Sequence, residues 1–332
     1  MTDSWREAYR GGRAIVTGGL GFIGSNLARE LVDLGAEVVI VDSRIPDCGA
    51  NPYNVADIAS RIEDHAVDLN EGEALAPLLE GADWVFNLAG QVSHIDSMER
   101  PLEDLEINCR AQLSLLECCR RRRRAPRVIY AGTRQQYGRP QKLPVDESHP
   151  MNPTDINGIN KMAGEWYHRL YHDVHALPTT SLRLTNTFGP RQLIRHPRQG
   201  FLSVFIRRVL EDQTIQVYGD GRQLRDYNYV SDVVRAFLMV AVHPAAIGQV
   251  YNLGSTEVFS VGQIAEMMVA IAGRSRIEVI PFPEERKQID IGSYYGSFEK
   301  IRDEIGWEPR VSVEEGLRRT LEYYREQMEH YV

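Results

Sequence analysis

Along the first half of the chain, short continuous apolar runs alternate with longer stretches in which apolar residues recur every three to four positions. The runs are Ala14-Ile-Val-Thr17, Val38-Val-Ile-Val41, Ala82-Asp-Trp-Val-Phe-Asn-Leu-Ala89, Arg127-Val-Ile-Tyr-Ala131 and Thr180-Ser-Leu-Arg-Leu184, and the helical periods include 101–124 and 157–172. Strands buried on both faces read as unbroken apolar runs, and strands that alternate with helices build a parallel sheet with helices on both sides. The pattern therefore predicts an α/β fold with a doubly wound parallel sheet. From Phe188 onward Pro and Gly punctuate more often, as in Gly189-Pro190 and Gly219-Asp-Gly221, while Gln249-Val-Tyr-Asn-Leu253 reads as one more strand of the first sheet. A smaller, interleaved second domain is the expectation, with 1–189 and 230–256 forming the first unit and 190–229 and 257–332 the second. In such sheets ligands bind beyond the carboxyl ends of the strands, so the loops opening at Gly90, Gly132 and Thr185 should face the site.

The first run breaks into Gly18, Gly21 and Gly24 and then into a helical pattern. Gly18 allows a tight turn, Gly21 leaves no Cβ before a bound phosphate, and Gly24 lets the helix pack closely, so free N–H groups at the helix start face an anion. Asp42 closes the second strand 18 residues after Gly24. There a carboxylate accepts from an adenosine ribose and repels a 2′-phosphate, which predicts a Rossmann unit that binds NAD in preference to NADP.

A net charge of −8 argues against a nucleic-acid partner. The five arginines 120–124 follow a helical pattern and read as a solvated helix end, where cations suit the dipole. Cys48, Cys109, Cys118 and Cys119 lack metal-ligand spacing and read as reduced thiols. With no leader pattern and no apolar run approaching the length of a membrane span, no membrane partner and a cytoplasmic location are expected.

Further blocks carry a resemblance. Thr17-Gly-Gly-Leu-Gly-Phe-Ile-Gly24, Asn87-Leu-Ala-Gly90, Thr133 with Tyr137-Gly138, Lys161, Leu182-Arg-Leu-Thr-Asn-Thr-Phe-Gly-Pro190, Tyr218-Gly-Asp-Gly-Arg-Gln-Leu-Arg-Asp226, Val230-Ser-Asp232 and Ile305-Gly-Trp-Glu-Pro309 resemble, nearly end to end, the extended short-chain dehydrogenase/reductases, in particular their NAD-dependent nucleotide-sugar epimerases and dehydratases. The resemblance implies a sugar nucleotide held across both domains and a homodimer. It implies that Phe22, Ile23, Asp68, Leu69, Leu88, Ala89, Asn108 and Lys161 join Gly18, Gly21, Gly24 and Asp42 around the cofactor. Asn186 matches a diphosphate contact, and Arg225 and Arg286 match phosphate-binding arginines. The expected interface uses the helices 101–124 and 157–172, with Leu105, Cys109, Gln112 and Leu116 on one stripe and Met162, Trp166 and Leu170 on the other.

Two departures shape the chemistry. The family takes the sugar hydroxyl proton with a Tyr one helical turn before the Lys, and here Asn157 stands at that catalytic position, four residues before Lys161. An amide has no proton to exchange near neutral pH. The family's 4,6-dehydratases carry Asp and Glu after the Thr, where this chain has Arg134 and Gln135, neither of which titrates usefully. Dehydration by the usual route is disfavoured, and Arg134 reads either as a loop cation or as a clamp for an anionic sugar. A replacement base is sought in Gln91-Val-Ser-His-Ile-Asp-Ser97, where His94 titrates near neutrality and Asp96 could orient it or act itself; the alternative is a His facing solvent. Thr133 and Tyr137 remain as polar sugar contacts, Tyr137 with an ordinary phenol pKa unless Lys161 lowers it. The leading expectation is a UDP-sugar 4-epimerase type of enzyme acting through a transient keto sugar. The alternatives are another oxidoreductase, dehydratase or decarboxylase of sugar nucleotides, and a non-catalytic NAD or sugar-nucleotide binder.

Overall fold

A computed structural model describes residues 4–195 and 200–332, apart from the side chains of Glu285 and Arg286. The first half runs β1 (Arg13–Thr17), α1 (Phe22–Asp33), β2 (Glu37–Val41), β3 (Ile62–His65), α2 (Gly72–Leu78), β4 (Trp84–Asn87), α3 (His94–Glu99), α4 (Pro101–Leu105), α5 (Ala111–Arg120), β5 (Arg127–Thr133), α6 (Ile156–His175) and β6 (Thr179–Leu184). The second half runs β7 (Asn186–Phe188), α7 (Phe201–Leu210), β8 (Ile215–Tyr218), β9 (Leu224–Tyr229), α8 (Val230–Val242), β10 (Val250–Asn252), β11 (Val258–Ser260), α9 (Val261–Ala272), β12 (Ile277–Ile280), α10 (Glu284–Lys287), α11 (Glu299–Ile305) and α12 (Val313–Gln327).

Among the described residues seven strands form one parallel sheet in the order β10-β6-β5-β4-β1-β2-β3. The side chains divide it as period-two geometry requires: Ala14, Val16, Val38, Ile40, Phe86 and Ile129 enter one core with Leu27 and Leu31 of α1 and much of α8. Ile15, Val39, Val41, Val85 and Val128 enter the other, with Leu75 of α2 and Leu115 and Leu116 of α5. Burial on both faces is why these strands lack polar alternation. The expected strand at 249–253 is β10, which pairs with β6 in parallel. The strand order reverses between β1 and β4, which opens a crevice at their carboxyl ends. Beyond it, β9 takes β7 in parallel and β11 antiparallel, and β8 pairs with β12.

The predicted helix at 101–124 differs in detail. It is built as α4, a π-helical turn at Glu106–Arg110, and α5, which ends at Arg120. Arg122 then folds back, its Nε donating to the Cys118 carbonyl and its Nη1 to that of Ala76, both at 3.2 Å, so it closes a helix end as cations do there. The apolar stripe assigned to this segment is also corrected: Cys109, Gln112 and Leu116 are buried in the chain's own core, because the π turn rotates α5 onto α6 and the sheet. The exposed apolar face is instead Leu102 and Leu105 with Ile159, Trp166, Leu170 and Val174 of α6. Among the described residues no helix is long and apolar enough to cross a membrane.

Candidate active site

The β1–α1 turn builds one end of the crevice. Gly18 has φ +66°, a conformation costly for any residue with a Cβ. A Cβ on Gly24 would run into the Gly18 carbonyl, so the helix can approach its turn this closely only with glycine there. Helix α1 starts at Phe22 with Gly21 as its cap and no side chain occupying the first N–H groups, which leaves them for an anion. At the end of β2, Asp42 is 8% exposed and accepts from the N–H of Leu20 at 3.1 Å and of Arg44 at 2.9 Å. Burial raises its pKa, and those two N–H groups partly offset the rise. The cleft has a volume of about 370 Å³. Gly18, Gly21, Phe22, Ile23, Gly24, Asp42, Asp68, Leu69, Leu88, Ala89 and Lys161 all line it, as do Gly90, Gly132 and Thr185 at the three loops expected to face the site. An uncapped helix start beside a carboxylate at the next strand's end fits the diphosphate and ribose of a dinucleotide.

Asn108 is the exception on this side. It is fully buried behind the wall, donating to the Gln91 carbonyl at 3.1 Å, with its Oδ1 unpaired. It supports the 91 loop and does not line the cleft, because the π turn carries it inward.

On the opposite wall stand His94, Thr133, Arg134, Gln135, Asn157, Lys161 and Asn186. Asn157 and Lys161 lie one turn apart on α6. Lys161 is buried, its Nζ donates to the Ala131 carbonyl at 3.3 Å, and it faces the Tyr130 ring at 5.4 Å. Burial lowers its pKa to about 8, against the opposing pull of Asp104. The Asn157 amide donates to the Gln91 carbonyl at 2.8 Å and to Asp104 Oδ2 at 3.0 Å, while Asp104 Oδ1 accepts from Asn160 at 2.8 Å. Asn157 is thus a structural tie whose two N–H groups are taken.

His94 opens α3 and presents a half-exposed ring to the cleft, with Nδ1 3.0 Å from Asp155 Oδ2. Asp155 is the cap of α6 and also accepts from the N–H of Gly158 and from Gln135 Nε2 at 2.8 Å. Burial pushes its pKa up, but His94, Gly158 and Gln135 outweigh that and hold it below the ordinary value. The expectation that Asp96 orients His94 is therefore corrected. Asp96 sits buried within α3, two residues after His94, off the cleft wall, and the carboxylate at the ring is Asp155. Sequence reasoning missed Asp155, although an Asp placed just before a helical period is a legible cap.

Tyr137 is a second correction. It is fully buried away from the cleft, donating to Asn252 Oδ1 at 2.7 Å and accepting from Arg183. Burial pushes its pKa up to about 12 despite the arginine, so the unshifted phenol in contact with sugar is not what forms. Thr133 stays on the wall and caps the short turn Arg134–Tyr137. Asn186 accepts from Arg134 Nη2 at 3.1 Å and donates to the Asp226 carbonyl at 3.0 Å. Arg225 is not brought to the cleft wall: it is 7% exposed, and its guanidinium donates to the carbonyls of Leu224 and Gly292, whose segment packs over it. The side chain of Arg286 lies outside the described residues. No cluster of metal-binding side chains occurs among those described.

The family described as "NAD dependent epimerase/dehydratase family" matches residues 14–254. A UDP-glucose 4-epimerase of Mycolicibacterium smegmatis is 31% identical over 94% of this chain and 98% of its own length. A UDP-N-acetyl-alpha-D-glucosaminuronate decarboxylase of Bacillus cytotoxicus is 30% identical over 95% of this chain and 98% of its own. Among solved structures, the UDP-glucose 4-epimerase of Thermotoga maritima with UDP-glucose superposes with a TM-score of 0.88 at 29% identity, covering 95% of this chain and 99% of that one.

Proposed function

The chain belongs to the NAD-dependent epimerase/dehydratase family and is an enzyme of it, and from that premise we propose that it binds NAD and a sugar nucleotide and acts as a UDP-sugar 4-epimerase with an atypical base. NAD is preferred over NADP because Asp42 accepts from a ribose diol and repels a phosphate. The cofactor supplies a hydride acceptor that can return the hydride. Gly18, Gly21 and the start of α1 hold its diphosphate, and Lys161 contributes positive charge beside the reacting groups. Thr133 donates a hydrogen bond to the sugar. Dehydration lacks support, because Arg134 and Gln135 replace the acid and base it requires.

The observation that carries the reading is the His94–Asp155 pair on the wall that also holds Asn157 and Lys161. Asn157 does not titrate, and its amide is tied to Asp104 and Gln91. His94 Nδ1 lies 3.0 Å from Asp155 Oδ2 without the alignment of a hydrogen bond. A small turn of the ring on substrate binding directs an Nδ1 proton at the carboxylate and leaves the lone pair on Nε2. Nε2 takes the hydroxyl proton as the sugar carbon is oxidised and returns it on reduction, Asp155 stabilising the imidazolium between the two steps.

The test is product identification by NMR after incubation with UDP-glucose and other sugar nucleotides, with absorbance followed at the reduced-nicotinamide band. A new sugar without net reduced cofactor is expected. His94→Gln should lower kcat by about 10²–10⁴ while nucleotide binding persists. Saturable binding without product from any sugar nucleotide refutes the enzymatic reading, and an active His94→Gln refutes the assigned base.

A further inference from the structure

Arg134 follows Thr133 at the carboxyl end of β5 and lies on the cleft wall. Its guanidinium carbon lies over the Tyr294 ring, 5.1 Å from the centroid, and Nη2 donates one hydrogen bond, to Asn186 Oδ1 at 3.1 Å. Nη1 is buried and has no hydrogen-bond partner. Among the described residues no carboxylate forms an ion pair with Arg134, although most other arginines of the chain have one.

Burial raises the pKa of Asp226, and Arg134 is near enough to pull it down, but the two form no ion pair. Arg225 lies close enough that Arg134 adds to the burial that lowers its pKa to about 10. Asp226, the nearby acid, is fully buried and its oxygens accept from Thr185 and from the Gly296 N–H at 2.9 Å. Asp290 is 3.8 Å from Arg225. The cleft wall therefore carries one guanidinium, that of Arg134, which has no ion-pair partner among the described residues and keeps an unused buried donor, with Arg225 behind the wall adding to the positive potential. A buried polar group without a partner is costly. A guanidinium placed by an aromatic ring and by Asn186, with Nη1 still unpaired, retains a donor for a planar carboxylate.

We propose that Arg134 reads a carboxylate on the sugar ring of the substrate, so that this cleft takes acidic sugar nucleotides in preference to neutral ones. The inference rests on the sugar-nucleotide reading above and names the substrate class. Arg134 follows Thr133 and lines the same cleft as His94, Asn157 and Lys161, which puts it within reach of the reacting ring. Its partner Asn186 matches a diphosphate contact, so the binding test below separates a sugar carboxylate from the diphosphate. The sequence change points the same way, because a cation replaces the acid that the dehydratases place after this Thr, and the subsite changes from one that handles a hydroxyl to one that demands negative charge.

The test is calorimetric binding of UDP, UDP-glucose and UDP-glucuronic acid to the full chain saturated with NAD, and to its Arg134→Met and Arg134→Lys variants. In the wild type UDP-glucuronic acid should bind about 10- to 100-fold more tightly than UDP-glucose, a comparison that needs no variant. Arg134→Met should erase that preference and leave UDP and UDP-glucose within about twofold. Arg134→Lys, which keeps the charge and loses the fork, should fall between. Equal wild-type affinity for the glucose and glucuronic acid forms overturns the proposal. So does an Arg134→Met variant that weakens all three ligands together, which places the arginine on the phosphates. Binding of UDP and UDP-glucose without a preference leaves the proposed function standing and removes only this inference, whereas binding of none of the three removes both.

Discussion

Restoring the family's phenol through Asn157→Tyr should damage this protein. The Asn157 amide makes two donations, to the Gln91 carbonyl and to Asp104 Oδ2, and Asp104 is 1% exposed. A tyrosine makes neither, so Asp104 keeps only Asn160 as a partner, on its other oxygen. A hydrogen bond to a buried charge contributes roughly 1.5–3 kcal/mol and a neutral one about 1 kcal/mol. Extra bulk in a packed site adds roughly 1–3 kcal/mol. The sum is about 4–7 kcal/mol, and at roughly 2 °C per kcal/mol for a chain of this size the melting temperature should fall by about 8–14 °C. Turnover should fall too, because the ring enters the cleft in which His94 is the proposed base. The assay is differential scanning fluorimetry beside steady-state kinetics, with Asp104→Asn combined with Asn157→Tyr as a coupling control. Removing the stranded charge should recover part of the loss, since the two residues act as a pair. An Asn157→Tyr protein that melts within about 2 °C of wild type and turns over faster refutes both the structural tie and the replacement base.

The buried Lys161 should leave a mark on stability against pH. Its folded pKa of about 8 lies below the ordinary lysine value of about 10.4, so between these values the unfolded chain binds more protons and this residue's contribution to stability rises with pH. Below about 8 its cost is fully present, so Lys161→Met should stabilise the ligand-free protein at pH 7 by as much as roughly 3 kcal/mol and by less at pH 10. Urea titrations at the two pH values check this, and a gain that grows with pH refutes it. The exposed apolar face of α4 and α6, with Leu102 at 74% and Val174 at 63% exposure, should pair with a second copy of the chain. Light scattering at micromolar concentration should read a dimer and Leu170→Glu a monomer; a wild-type monomer refutes the pairing.

The architecture was legible because its signals are local. Val38 to Val41 is apolar throughout because β2 is covered on both faces, and Gly18, Gly21 and Gly24 encode a turn within seven consecutive residues. Asp42 follows from the same unit at a fixed distance along the chain. For this reason the residues assigned to the cofactor all line the one cleft except Asn108, whose place depends on a π turn that periodicity does not reveal.

The opposite wall was less legible because its partners come from distant parts of the chain. Tyr137 looks like a loop phenol until Arg183 and Asn252 enclose it, and neither is a neighbour in sequence. His94 and Asp96 are two apart and suggest a pair, yet on a helix residues i and i+2 point to different sides, and the acid that meets the ring is Asp155, some sixty residues on. Asn157 carries the same lesson in the other direction. Read against the family, it is a missing base; read in place, it is the donor that holds Asp104 under the Gln91 loop. That loop leads into α3 and His94, and α6 contributes Asp155 at its cap and Asn157 in its first turn. One helix start therefore both holds the loop in position and supplies the carboxylate that stands 3.0 Å from its imidazole. The missing phenol at Asn157 and the base proposed at His94 belong to one arrangement, and a reversion at Asn157 should disturb both together.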